Sequence, residues 1–250
     1  MTFCLFTIPR AFEGVHAIRQ DNAIGAWSRL QPRPAHIALF GDDPGVADAA
    51  RKHDCWHIPQ ILRSEQGTPL VNAAFHDIQD HVKVDVYGYT NTDILFLSDL
   101  VPAVRKVAAA FKSFLLIGRR WMWDTAAPLD FTARWEQDLR GQLPAFPLYA
   151  PCGVDYFIFS AGLYQDMPPF IVGRCAWDNW LVGSILDAGI PVIDATAAIT
   201  CIHQGLALRF PPTAEYLHNQ ALYHDAKLQH RGWIDEAPFI LDEYGKIGKR

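Results

Sequence analysis

In the stretch VYGYTNTDILFL, residues 86–97, the carboxylate of Asp93 lies between two apolar segments. The polar turn 90–93 separates a run typical of a buried strand from a second apolar run. A carboxylate in a turn at the end of a strand can bind a divalent cation, and the cation can bind a diphosphate. Oxygen ligands of this kind suit Mg²⁺ or Mn²⁺. Asn91 and Asp93 could instead form an Asx turn that binds nothing.

His203 lies near the end of the apolar segment PVIDATAAITCIHQ, residues 191–204. An imidazole that follows a strand is held on a rigid element, as a metal ligand requires. A nitrogen ligand beside carboxylate and phosphate oxygens favours Mn²⁺ over Mg²⁺. The position equally suits a histidine that only completes the end of a strand, so both interpretations stay open.

Asp178 and Asn179 stand at the start of a helical pattern in CAWDNWLVGSILDAG, residues 175–189. An acid in the first turn of a helix stabilises the helix dipole by ~0.3–1 kcal/mol. The functional interpretation is a general base that removes a proton from an acceptor hydroxyl. The indole rings of Trp177 and Trp123 suit stacking on a sugar or aromatic acceptor, and they equally suit a core.

Arginines at three positions could bind phosphate, since a guanidinium matches phosphate oxygens in a bidentate manner. They are Arg119, Arg120 and Arg174. Any one of them could instead form a surface ion pair.

Strand-like and helix-like segments alternate through the first half of the chain. The pattern predicts strands over 3–9, 36–41, 55–59, 84–90 and 113–120, with helices over 16–30, 46–53, 68–82 and 101–111. This alternation indicates an α/β, Rossmann-like fold with a mainly parallel central sheet covered by helices. Such sheets bind ligands at the carboxyl ends of their strands, so the residues that follow each strand matter most.

The second half of the chain is less regular. We predict a loop and then a short helix over 121–147, a strand over 153–160, a helix over 175–189 and a strand region over 191–204. No composition shift marks a domain boundary, so we expect a single domain over 1–250.

Composition and missing motifs exclude several classes of protein. The net charge is −5, and the only cationic cluster is the terminal GKIGKR, which argues against a nucleic-acid partner. Five cysteines without CxxC spacing indicate reduced thiols and a cytoplasmic location. No window of about 18 apolar residues predicts a membrane span. The absence of GxGxxG and of a P-loop disfavours dehydrogenases and P-loop NTPases.

Several of these segments together resemble the GT-A fold nucleotide-sugar glycosyltransferases. NTD at 91–93 resembles their DxD motif, with Asn91 in place of the first acid. GTPLVNAAFHDIQDHV, residues 67–82, resembles the helix before that motif, and Asn72 takes the place of its asparagine. GRCAWDNWL at 173–181 resembles the acidic motif that holds the base of inverting members, and IHQ at 202–204 the late metal histidine.

The resemblance assigns roles to the candidate residues. It implies that Asp93 and His203 bind Mn²⁺ or Mg²⁺ and that Asp178 is the catalytic base. The nucleotide-sugar contacts that we expect are Thr7, Pro9, Asp42, Asp43, Asn72, Asn91, Thr92, Arg119 and Arg174. The acceptor contacts that we expect are Trp123, Asp155, Trp177 and Asn179, with Asp155 and Asp124 as alternative bases. The nucleotide-sugar half would cover about 1–120, and the half that binds the acceptor and completes the metal site would cover about 121–250.

The resulting expectation is a metal-dependent, inverting glycosyltransferase that moves a sugar from a nucleoside-diphosphate sugar to an acceptor hydroxyl. Two rivals remain. One is a sugar-nucleotide hydrolase or nucleotidyltransferase, although TIPRAFEG after the first strand is a poor match for a nucleotidyltransferase loop. The other is a non-catalytic nucleotide-sugar binding module, which Asn91 supports. The sequence does not indicate the sugar, the nucleobase or the acceptor.

Overall fold

A computed structural model describes residues 1–206 and 212–250. The helices in these ranges are α1 (Gly14–Ser28), α2 (Val46–Lys52), α3 (Val71–His81), α4 (Leu100–Ala110), α5 (Trp135–Gln142), α6 (Trp177–Asp187) and α7 (Ala214–Asp225). The strands are β1 (Phe3–Thr7), β2 (His36–Phe40), β3 (Trp56–Ile58), β4 (Val86–Thr90), β5 (Ile94–Phe96), β6 (Leu115–Ile117), β7 (Trp121–Trp123), β8 (Tyr156–Ser160), β9 (Val192–Asp194), β10 (Cys201–Gln204), β11 (Phe239–Leu241) and β12 (Ile247–Lys249).

The main sheet has the strand order β12-β11-β9-β6-β8-β4-β1-β2-β3. Strand β1 runs parallel to β2 and β4, whereas β8 runs antiparallel between β4 and β6. Because β8 is reversed, its first residues lie at the edge of the sheet where β1, β2 and β4 end. That edge is the expected ligand-binding edge of a parallel sheet.

A small sheet of three strands, in the order β5-β10-β7, lies beside this edge. Thr90 of the polar turn ends β4, and β5 begins directly after residues 91–93. Strand β10 pairs antiparallel with β5, so that His203 lies opposite Ile94. Strand β7 pairs parallel with β10. The small sheet therefore brings the end of β10 next to the polar turn.

Hydrophobic residues fill both faces of the main sheet, as alternation along the strands requires. In β1, Phe3 and Leu5 face one core, and Cys4 and Phe6 face the other. A cluster of aromatic rings around Phe75 forms much of the second core. With both faces covered, the polar side chains of the sheet are confined to its edges and strand ends.

The predicted fold class is confirmed, and most predicted strands and helices are present with shorter bounds. The region 191–204 was predicted as one strand region, but it forms β9 in the main sheet and β10 in the small one. The loop predicted to begin at 121 begins instead with β7. Both differences arise because strand pairing is decided by distant partners. The sequence interpretation also placed no element after residue 204, where α7, β11 and β12 lie.

In the described ranges, every helix is too short or too polar to cross a lipid bilayer. All five cysteines lie in the described ranges, and none is joined to another by a disulfide bond.

Candidate active site

Asp93 and His203 form an acid–imidazole pair at the carboxyl edge of the main sheet. Asp93 Oδ2 lies 3.5 Å from His203 Nε2. The backbone carbonyl of Asp93 accepts hydrogen bonds from the Gln204 backbone N–H at 3.2 Å and side-chain amide at 3.1 Å. The polar turn and the end of β10 are thus tied together by backbone contacts, which hold the two side chains face to face.

The tautomer of His203 follows from its second contact. His203 Nδ1 lies 3.1 Å from the carbonyl oxygen of Gly205, which can only accept, so Nδ1 carries a proton. Nε2 is then the nitrogen that faces Asp93. Metal-binding histidines commonly donate their other ring N–H to such a carbonyl, and this contact fixes the ring.

Burial raises the pKa of Asp93, and the imidazole of His203 acts in the opposite direction. In the ranges 1–206 and 212–250, no group of three or more His, Cys, Asp or Glu side chains is placed to hold a metal ion. The donor set available is therefore a pair. Two atoms 3.5 Å apart can each lie about 2.1 Å from one cation, so the pair fits a divalent ion whose other ligands come from phosphate or water.

An ion pair lies beside the polar turn. Arg120 Nη1 is 2.5 Å from Asp155 Oδ2, and the two side chains are 10% and 9% exposed. The guanidinium also lies 4.0 Å from the centre of the Tyr149 ring. The other oxygen of Asp155 accepts a hydrogen bond from Asn91 Nδ2 at 2.8 Å. Asp155 was predicted to contact the acceptor, but in the structure one of its oxygens faces Arg120 and the other faces Asn91.

Asp178 is the second residue of α6 and is half-buried. Burial raises its pKa to about 6, against the opposing effects of the Asn179 backbone N–H and the Arg120 charge. The N-cap of α6 is Ala176, which has no side-chain capping bond. The charge of Asp155 raises the pKa of both Asp93 and Asp178, and the charge of Arg120 lowers both, so both acids lie near the Arg120–Asp155 ion pair.

Positive charge from the start of α1 also reaches this neighbourhood. Burial lowers the pKa of His16, the charges of Arg10 and Arg19 lower it further, and Asp93 opposes them. Arg19 is held by Asp124 Oδ1 at 2.9 Å and by the Thr125 carbonyl at 2.8 Å. Sequence reasoning missed Arg19; the available signal was its helical spacing of three from His16 in the first turns of α1.

The predicted nucleotide contacts after β2 already have a protein partner. Arg63 Nη2 lies 2.6 Å from Asp42 Oδ1 and 2.8 Å from Asp43 Oδ2. Their charges are therefore shared with a guanidinium that sequence reasoning did not select. Neither acid caps α2, whose N-cap is Gly45.

Thr7 and Thr92 hold the polar turn from inside the protein. Thr7 Oγ1 donates to the Thr90 carbonyl at 2.6 Å and lies 2.7 Å from Thr92 Oγ1. Thr7 is 0% exposed. The Thr7 hydroxyl is therefore enclosed by the turn, and the predicted contact between Thr7 and the nucleotide sugar stays a prediction. Pro9 is also buried.

Besides Arg120, the other two arginines considered as phosphate ligands also have protein partners. Arg119 Nε donates to the Tyr149 carbonyl at 2.6 Å. Arg174 Nε donates to Glu215 Oε2 at 3.0 Å, and Ser64 donates to the other oxygen of Glu215 at 2.6 Å. Both guanidinium groups therefore hold protein segments together in this structure.

Three of the predicted acceptor contacts already have protein partners. Trp177 is 4% exposed and packs against Tyr89, which agrees with the alternative that it belongs to the core. Trp123 stacks on Phe146 and lines an open cavity of about 260 Å³. Asn179 Nδ2 donates to the Gly232 carbonyl at 3.3 Å.

Asn72 lies in the first turn of α3 and has a buried Oδ1 without a hydrogen-bond partner in the described chain. Its predicted contact with the nucleotide sugar therefore stays a prediction.

Comparison with known proteins places this geometry in a known fold. No family model and no curated protein matches the chain. The solved structure of glucosyl-3-phosphoglycerate synthase from M. tuberculosis is 13% identical, with a TM-score of 0.53, and the match covers 91% of this chain and 81% of that one. A complex of the Mycobacterium tuberculosis enzyme with Mn²⁺, UDP and glucosyl-3-phosphoglycerate is 11% identical, with a TM-score of 0.51 and coverage of 89% and 77%.

A third structure, residues 1–349 of S. aureus TarS, is 8% identical with a TM-score of 0.37, and the match covers 49% of this chain and 36% of that one. The chain thus spans about a third of that structure. The fold is the GT-A fold of nucleotide-sugar glycosyltransferases, in agreement with the sequence prediction.

Proposed function

We propose that this protein transfers a sugar from a nucleoside-diphosphate sugar to an acceptor hydroxyl, with inversion at the anomeric carbon. The observation that carries the proposal is the pairing of two features in one neighbourhood. Asp93 and His203 offer a cation site, and Asp178 has its pKa raised to about 6 by burial. A carboxylate with this pKa is mostly ionised at pH 7 and is a stronger base than an ordinary Asp.

In the proposed reaction, Asp178 takes the proton of the acceptor hydroxyl. The hydroxyl oxygen forms a bond to the anomeric carbon while the bond from that carbon to the diphosphate breaks, and the diphosphate leaves with the electron pair. A divalent cation bound by Asp93 and His203 would neutralise the charge that develops on the diphosphate. Arg10 and Arg19 contribute further positive charge on the same side.

The choice of first ligands follows from the fold. A GT-A neighbour with a TM-score of 0.51 was solved with Mn²⁺ and UDP, which supports testing that combination first. We propose the nucleotide site at the carboxyl ends of β1, β2 and β4, with Asn91 and Asn72 facing the donor. Asp42 and Asp43 are proposed to act together with Arg63.

A thermal-shift screen of UDP, GDP, ADP and CDP with and without Mn²⁺ tests the binding part. A ligand at a hundredfold excess over its Kd adds roughly 2.7 kcal/mol to the free energy of unfolding. We expect one diphosphate to raise Tm only when Mn²⁺ is present.

The Asp93→Ala variant tests the metal assignment directly. Because Asp93 supplies the carboxylate of the pair, the variant should fold but lose the Mn²⁺-dependent rise in Tm. Asp166→Asn, at an exposed acid, is the matched control and should keep that rise. A full Mn²⁺-dependent rise in Asp93→Ala would remove the metal role and leave the turn interpretation.

Turnover separates transfer from the non-catalytic alternative that Asn91 suggested. The enzyme is incubated with the matching nucleoside-diphosphate sugar and Mn²⁺, and release of the diphosphate is measured with water as a slow acceptor. Release that depends on both Mn²⁺ and Asp178 would contradict the non-catalytic binding module. Binding of the nucleotide sugar without any release would support a binding module.

A further inference from the structure

The polar turn lacks the first acid of a DxD sequence, yet a carboxylate occupies its neighbourhood. Asp155 comes from the residue before β8, and Thr90 pairs with Tyr156 in the sheet. The Asn91 backbone N–H donates to the Asp155 carbonyl at 3.1 Å, and the Thr90 hydroxyl donates to the same carbonyl at 3.1 Å. The turn and the start of β8 are therefore fastened by backbone contacts as well as by the side chains.

The side-chain contact fixes which way the Asn91 amide faces. Asp155 is ion-paired with Arg120 through Oδ2, so its Oδ1 can only accept a hydrogen bond. Only the amide nitrogen of Asn91 can donate to it, at 2.8 Å. The amide oxygen of Asn91 must then lie on the side away from Asp155, where no donor from the described chain meets it.

We propose that Asp155 is a positioning residue that supplies, from a point 64 positions later in the sequence, the carboxylate that position 91 lacks. It orients Asn91 so that an acceptor oxygen is presented outward, and it holds the turn that ends in Asp93. The consequence for donor binding rests on the function proposed above, whereas the coupling between positions 91 and 155 does not.

Replacing Asn91 by the aspartate of a DxD motif is expected to lower the stability of the protein. In Asn91→Asp, a second carboxylate would face the buried Asp155 without a proton between them, and like charges in a buried site are costly. We expect Tm to fall by roughly 4–10 °C relative to the parent chain. Asp155→Asn would leave Arg120 without its acid and would let the Asn91 amide reverse, so that a donor faces outward.

Exchanging the two residues should repair the damage. In Asn91→Asp combined with Asp155→Asn, the new Asn donates to the new Asp, and its amide oxygen accepts from Arg120. Both side-chain contacts and the total charge are thereby kept. The Tm of this exchange variant should return to within about 3 °C of that of the parent chain. This is well above the Tm expected if the losses of the two single variants were additive.

The test measures Tm and urea unfolding for the parent chain, both single variants and the exchange variant, without any ligand. A single variant that does not fold still counts as support if the exchange variant folds. The proposal is overturned if Asn91→Asp is as stable as the parent chain, or if the exchange variant is as damaged as the sum predicts. Asp166→Asn, an exposed acid, serves as the control for loss of one charge.

A second measurement adds Mn²⁺ and UDP. The parent chain and the exchange variant should show the same ligand-dependent rise in Tm, and Asp155→Asn should lose at least half of it. If UDP fails to shift even the parent chain, the proposed donor is contradicted while the ligand-free result still decides the coupling. If Asp155→Asn keeps the full rise, the orienting role of Asp155 is contradicted.

Discussion

Asp178 shows most directly how burial changes the chemistry of one residue. Its pKa is raised from 3.8 to about 6 by burial. A raised pKa means that the folded chain binds this proton more tightly than the unfolded chain does. The contribution of Asp178 to stability is therefore fully kept below pH 4 and is lost as the pH rises through about 6, by up to about 3 kcal/mol.

The Asp178→Asn variant tests this cost and the catalytic role together. Its Tm should equal that of the parent chain near pH 4 and exceed it by roughly 5–10 °C at pH 8, because the variant never carries the charge. Its turnover should fall by about 10²–10⁴ at pH 7.5, the usual contribution of a general base. Tm across pH 4–8 and the rate of diphosphate release provide both readouts.

If Asp178 only stabilises the start of α6, Asp178→Asn should give the opposite results. In that case Asp178→Asn would lower Tm slightly and leave turnover near that of the parent chain. Asp155 and Asp124, the earlier alternative bases, are engaged with Arg120 and Arg19, so neither is free to replace Asp178 in this structure. The turnover of the parent chain should also decline as the pH falls through about 6, where Asp178 gains its proton.

At the scale of elements, the end of β10 determines how His203 is oriented towards Asp93. Gly205 has φ of +142° and holds the Nδ1 proton of His203 through its carbonyl. A Cβ at this position would lie 2.5 Å from Arg19 Nη1, and Arg19 is itself fixed by Asp124. The strand can end in this way only with glycine, so a backbone feature controls the direction of an imidazole.

The Gly205→Ala variant should cost about 1–3 kcal/mol of unfolding free energy, because alanine is strained at this φ and displaces Arg19. It should also weaken the Mn²⁺-dependent nucleotide shift, because the Gly205 carbonyl no longer orients His203. Denaturant unfolding and the thermal-shift assay measure the two effects.

Gly141→Ala in α5 is the matched control, since no atom lies within 4 Å of its added Cβ. That variant should be neutral or more stable by about 0.4–1 kcal/mol. Equal behaviour of the two variants would show that the end of β10 tolerates a side chain.

At the scale of the whole molecule, the main sheet separates stability from chemistry. Phe75 on α3 is fully buried and meets the rings of Phe6, Phe159 and Tyr164 at centroid distances of 5.1, 5.4 and 5.4 Å. This aromatic core packs on one face of the sheet, whereas the candidate site lies at the strand ends. We therefore expect a loss of packing in this core to lower stability while the strand-end site keeps its arrangement.

The Phe75→Ala variant should lower the free energy of unfolding by about 3–5 kcal/mol through loss of buried surface and creation of a cavity. Below its Tm, its affinity for nucleotide and Mn²⁺ should match that of the parent chain. Leu217→Ala, at a position that is 58% exposed, is the control and should change stability by less than about 0.5 kcal/mol. Loss of nucleotide affinity in folded Phe75→Ala would show that the core and the site are coupled.

Much of the fold could be predicted from the local sequence pattern. The early strands, the polar turn at 91–93 and the helix that begins near Asp178 follow from apolar periodicity and from turn residues, which act over a few positions. The Asp93–His203 pairing was predicted only through the resemblance, because 110 positions separate the two residues in sequence and no local signal joins them.

Tertiary structure alone decided how the polar groups are paired. Arg63 joins Asp42 and Asp43, and Asp155 joins Asn91 across 64 positions. Nothing in the apolar pattern of β8 shows that it is antiparallel, because a strand buried on both faces has the same composition in either direction. That direction brings Asp155 to the ligand edge. Local periodicity determines which residues form strands, but only packing determines which charged groups meet at the strand ends.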